Sequence, residues 1–170
     1  MFCWKRCLNN KMKITIIAVG KIKEKYLTAG IQEFVKRLTP YCKLDIVELA
    51  EERMPDNPSP AEKTQALTRE GERILKAVKP SSYLVVLDVA GQAMSSEQLA
   101  AKFDSLALSG QSDITFVIGG AFGLSTEVLK AAKERLSFSK MTFTHQMIRL
   151  LLVEQVYRAF KISRGEPYHW

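Results

Sequence analysis

The residues best equipped for chemistry lie at the end of the chain. Arg158, Lys161 and Arg164 fall on one flank of a helical stretch, and Tyr168, His169 and Trp170 close the sequence. Cations on one flank suit phosphate oxygens, tyrosine and tryptophan can stack on an unpaired base, and histidine exchanges a proton near neutral pH. The plainer alternative is a solvated basic face with terminal aromatics docked for packing.

A second group lies upstream, where Asp113-Ile-Thr-Phe-Val-Ile118 runs into Gly119-Gly-Ala-Phe-Gly123. Three glycines in five residues let the backbone turn sharply and present N–H groups at the carboxyl end of a strand. The spacing is neither the phosphate-cradling P-loop nor the dinucleotide fingerprint, so a nucleoside fits better than a polyphosphate. A turn that merely lets strand and helix pack remains the competing reading.

These groups need a scaffold, and the apolar patterning supplies one. Ile14–Val19, Leu44–Leu49, Tyr83–Leu87 and Asp113–Ile118 read as strands, with Glu24–Leu38, Ala61–Val78 and Ser95–Leu108 as helices between them. Ser95 and Gln98 have the spacing of a capping box. Leu136–Phe143 reads as a half-buried edge strand and His145–Arg164 as a long helix, with Glu154 and Arg158 spaced as an ion pair. Alternating strands and helices predict an α/β fold, a mostly parallel sheet with helices on both faces. Such sheets bind ligands beyond the carboxyl ends of their strands, which singles out Leu87-Asp88, Gly119–Gly123 and Phe138–Phe143. The proline-rich stretch from Ala50 to Pro60 predicts a mobile surface loop, either a lid or a plain connection.

The totals fit one domain. The chain has 170 residues, 46% of them hydrophobic, and no apolar run long enough for a membrane span. A net charge of +7 favours a polyanionic partner. Setting aside residues 1–11 leaves 22 basic against 18 acidic side chains, a modest net +4. That segment lacks the pattern of a secretory signal and reads as an upstream or non-native extension, with the domain running from Met12 to Trp170. Three cysteines, Cys3, Cys7 and Cys42, supply neither a disulfide framework nor a zinc set, so no metal and a cytoplasmic setting are expected.

Four stretches carry a resemblance: MKITIIAVGK from Met12, VIGGAFGLS, LSFSKMTFTHQMIR and EQVYRAFKISRGEPYH. From Met12 to His169 the chain resembles the ribosomal large-subunit pseudouridine N3-methyltransferases of the H type (the RlmH family), in the SPOUT superfamily. The resemblance implies a SPOUT-type α/β knot, whose carboxyl-terminal chain forms a deep trefoil knot. It implies S-adenosylmethionine as methyl donor, held at Leu87, Gly119, Phe138, Ser139, Lys140, Met141, Thr142 and Phe143. The implied substrate is 23S rRNA within the ribosome, methylated at N3 of a pseudouridine, with no DNA or membrane partner. His169 is then the best-suited base, Tyr168 positions the nucleobase, and Arg158 contacts phosphate or a ring oxygen. A homodimer is also implied, each active site completed by the partner's tail. Trp170 departs from the pattern, because a basic residue usually follows the Tyr-His pair.

Two rivals remain at this level. A nucleotide-dependent oxidoreductase or phosphotransferase should carry a glycine fingerprint after the first strand, where Gly20-Lys-Ile-Lys has one glycine. A noncatalytic RNA-binding or ribosome-assembly factor would use the same basic tail without binding a methyl donor.

Overall fold

The computed structural model describes residues 11–168. Runs of β-branched and apolar residues form Lys13–Val19 (β1) and Asp113–Ile118 (β4), which pair in parallel inside a five-stranded sheet. Lys43–Leu49 (β2), Tyr83–Ala93 (β3) and Glu134–Ser137 (β5) complete the order β2-β1-β4-β3-β5, and every pairing is parallel.

Side chains alternate across each strand, so an inner strand covered on both sides must be apolar at successive positions. In β1, Ile14, Ile16 and Ala18 enter the larger core beneath the helices Lys25–Leu38 (α1), Ser96–Leu108 (α3) and Met147–Ser163 (α5). Ile17 and Val19 face the other way, into a smaller core with Ile74 of Pro60–Ala77 (α2) and Val128 of Thr126–Ala131 (α4). The expected parallel sheet with helices on both faces is therefore present.

Local signals set the helix starts. The Ser95 and Gln98 capping box is formed as read from the sequence, and a second box joins Ser59 and Glu62 ahead of Pro60 at the first position of α2. No described helix is long and apolar enough to cross a membrane.

Two elements differ from the sequence reading. β3 does not stop at Leu87 but resumes pairing with β5 at Gln92 and Ala93, across a register shift. The expected strand from Leu136 to Phe143 leaves the sheet after Ser137. Beyond the Ala93–Ser137 pair, serine hydroxyls take over from the ladder: Ser137 Oγ donates to the Ser139 carbonyl at 3.1 Å, and Met141 N donates to Ser139 Oγ at 3.0 Å.

The segment after β5 therefore crosses the top of the sheet. It runs from that edge to β1, where Lys23 N donates to Gln146 Oε1 at 2.8 Å and Arg149 enters the core. Arg149, 1% exposed, donates to the carbonyls of Val19 (3.0 Å) and Gly20 (2.7 Å) and pairs with Glu48 at 2.8 Å. Burial pulls its pKa down, and the Glu48 carboxylate opposes that shift. One arginine thus ties the start of α5 to the carboxyl ends of β1 and β2.

Candidate active site

Because that segment passes over the strand ends, it roofs a cavity of about 490 Å³. Leu87, Asp88 and Val89 form one wall, and the loop from Ile118 to Leu124 forms another. Of the residues expected to hold a cofactor, Leu87, Gly119, Phe138, Ser139, Met141, Thr142 and Phe143 all line it. Lys140 is not among the lining residues; it stands exposed on the roof loop between two that are.

The loop geometry requires glycine at its base. A Cβ on Gly119 would come 2.4 Å from the Gly123 carbonyl oxygen, closer than any side chain can sit. Ser125 then caps α4 by accepting from Val128 N at 3.3 Å. At the mouth, Met141 is 76% exposed, and Phe122 and Phe143 are each 44% exposed. The Lys63 ammonium lies 5.4 Å from the centre of the Phe122 ring, which brings the start of α2 to the rim.

Sequence reasoning passed over Arg135, His145 and Ile148, which also line the cavity. Arg135 Nε donates to Asp88 Oδ2 at 2.9 Å, an ion pair that braces the β3 wall against β5. Nothing local in the sequence announces a partner 47 residues away. The His145 ring packs beside Gly20 at the end of β1, a contact that exists only because the roof segment crosses the sheet.

The proline-rich stretch between β2 and α2 has no regular structure, as expected, but its first part is tied down. Arg73 donates to the Ala50 carbonyl at 2.8 Å and pairs with Glu52, while Glu52 N donates to Glu70 Oε1 at 2.8 Å. This half of the loop is a braced connection.

The tail residues come together, but elsewhere. Glu154 Oε1 accepts from Arg158 Nε at 3.0 Å and from the Tyr168 hydroxyl at 3.1 Å. Arg158 also stacks 4.8 Å above the Tyr168 ring, which meets Tyr157 edge-on at 4.9 Å between centres. Burial, reinforced by Glu154, raises the Tyr168 pKa, so the phenol keeps its proton. His169 lies outside the described residues, as does Trp170. The three tail cations do not form a free phosphate-facing flank: Arg158 pairs with Glu154, Lys161 pairs with Glu166, and Arg164 lies over Tyr41.

Neither Arg158 nor Tyr168 lines the cavity. Ile148 of the cavity and Arg158 stand ten residues apart on α5, about 15 Å along its axis at the usual helical rise. Within one chain, the cavity and the cluster of Arg158 and Tyr168 lie apart.

An open parallel sheet with a roofed cavity at its strand ends defines a small-ligand-binding α/β protein. The model of the family described as "Predicted SPOUT methyltransferase" matches residues 12–169, and the chain belongs to that family. It is 58% identical over 158 residues to the ribosomal RNA large subunit methyltransferase H of Halothermothrix orenii, covering 93% of this chain and 99% of the relative. The protein of the same name from Acetivibrio thermocellus is also 58% identical with the same coverage, and that from Carboxydothermus hydrogenoformans is 54% identical.

Proposed function

We propose that this protein transfers a methyl group from S-adenosylmethionine to N3 of a pseudouridine in 23S rRNA of the large ribosomal subunit. It does so in the cytoplasm, as a homodimer whose active sites each join one subunit's cavity to the other's tail. The observation that carries the reading is the cavity beyond the strand ends, lined by Leu87, Gly119 and the segment from Phe138 to Phe143. The relatives' shared name supports a ribosomal RNA as the substrate.

The cavity suits the cofactor. Its volume falls within the usual range for small-molecule sites, about 300–1,000 Å³. Leu87, Phe138 and Phe143 offer apolar surface to a nucleoside, and the loop at Gly119 brings backbone close without side-chain obstruction. Lys140, outside the lining, would act through its charge near the mouth. When bound, S-adenosylmethionine supplies an electrophilic methyl group.

The remaining work falls to the tail. N3 of the target base must lose its proton, and His169, with an ordinary pKa of about 6.5, is matched to accept it near neutral pH. Tyr168 positions the base, its ring serving as a platform while its protonated phenol donates to Glu154. Arg158, whose Nε and Nη2 are held by Glu154, would contact a ring oxygen or a phosphate through the rest of its guanidinium. The resemblance also carries the trefoil knot, whose threading step would be the passage of the chain over the sheet between β5 and α5.

The test is methyl transfer from labelled cofactor to ribosomes that lack the modification, with the product mapped by mass spectrometry. His169→Ala is expected to lower turnover by about 10²-fold or more while cofactor Kd stays unchanged. Unchanged turnover removes the histidine from the mechanism. No binding of S-adenosylmethionine in a titration favours a noncatalytic ribosome-assembly role instead.

A further inference from the structure

The path of the tail after α5 is built by specific contacts. The helix ends in a Schellman motif, with Gly165 N donating to the Ile162 carbonyl and Glu166 N to the Lys161 carbonyl, each at 2.9 Å. Gly165 takes the left-handed conformation, φ +63°, that such an ending requires. The chain then folds back along α5, so Tyr168 returns to Tyr157 and Arg158.

Glu166 sits at this reversal with both carboxylate partners on one oxygen. Its Oε2 accepts from the Tyr41 hydroxyl at 2.6 Å and from Lys161 Nζ at 2.6 Å. Lys161 holds the carboxyl below its ordinary range, with Tyr41 adding to the effect. Tyr41 belongs to the connection between α1 and β2 and is fixed from three sides. Arg164 lies 4.4 Å over its ring, Tyr157 meets it edge-on at 5.8 Å, and Phe160 stands 6.0 Å away. Tyr157 contacts Tyr41 and Tyr168 alike, so the three rings form one edge-to-face chain leading to the tail.

We infer that Glu166 and Tyr41 form a latch that positions the carboxyl-terminal tail for the methyl-transfer reaction. Neither touches the cavity; both act through Tyr168 and the residue joined to it. The inference rests on the proposed function for its catalytic consequence, while the latch itself rests on geometry alone. A tail tied at Glu166 enters the reaction already ordered, so the latch should raise turnover and leave cofactor binding untouched.

The chain has two tryptophans, so Trp4→Phe leaves Trp170 as a reporter two residues beyond Tyr168. In that background, Glu166→Ala and Tyr41→Phe are each expected to lower Trp170 fluorescence anisotropy. Methyl transfer kcat should fall by about tenfold, with S-adenosylmethionine Kd within about twofold of the parent. Glu166→Gln, which keeps an acceptor for Tyr41 and loses the ion pair, should fall between. Parental anisotropy in Glu166→Ala overturns the latch, and so does a kcat loss matched by equal losses in Tm and cofactor affinity. A parent protein that binds no cofactor and transfers no methyl group refutes the functional reading, and anisotropy still decides the latch.

Discussion

Glu70 is a carboxylate with little access to water, 7% exposed on α2, whose Oε1 accepts from the Glu52 N–H at 2.8 Å. Burial raises its pKa, the Glu52 N–H opposes that, and the charges of Glu51 and Glu52 push it higher. A carboxyl whose folded pKa exceeds its unfolded value contributes stability at low pH and loses it as pH rises through the folded value. Glu70→Gln keeps the acceptor for Glu52 N and removes the charge. Its Tm should therefore rise by about 2–4 °C at pH 8 and change little at pH 4, as scanning calorimetry would measure. At this scale the sequence was informative where a residue type has few uses. Glycine at position 119 and the Ser95 cap were legible because their backbone roles are local. Arg135 and Glu70 were not, since an ion pair with Asp88 or a buried carboxylate depends on chain brought in from elsewhere.

Among the helices, α5 does most to assemble the molecule, and Arg149 anchors its start. Its guanidinium satisfies two strand-end carbonyls at once through Nη2 while Nη1 reaches Glu48. Arg149→Met takes the guanidinium from both carbonyls and leaves Glu48 with the Ile22 N–H but no ion-pair partner, and should cost about 2–3 kcal/mol in urea unfolding. Arg149→Lys should recover part of that loss. The periodicity that predicted α5 gave no hint of this anchor, because an arginine at a buried helical position looks like a solvated one until its partners are known. The same limit explains the strand errors. Tyr83–Leu87 was read correctly and the return of pairing at Gln92 was missed, because a polar, glycine-containing stretch looks like a turn unless β5 lies beside it. Alternation in Leu136–Phe143 suggested a strand, yet a strand lasts only as long as a neighbour accepts its hydrogen bonds.

For the whole molecule, the distance between cavity and tail is the decisive feature. On the proposed function, one chain would carry two incomplete halves, and pairing two chains is the simplest way to bring unlike halves together. A mixture of His169→Ala with Gly119→Val, each inactive alone, should regain activity through mixed dimers. With random exchange it should reach about a quarter of the wild-type rate, since half the dimers are mixed and each holds one intact site. No recovery, or a mass near the 19.2 kDa of one chain by sedimentation, would refute a shared site. The sequence alone determined the alternation of strands and helices, the glycine bend and the chemistry available to the tail, because each follows from residue types over short spans. Only the tertiary structure decided that the segment after β5 roofs the cavity, that Arg149 locks it there and that each tail cation has a neighbour in the chain itself. Those outcomes depend on contacts between residues dozens of positions apart, which local propensity does not encode.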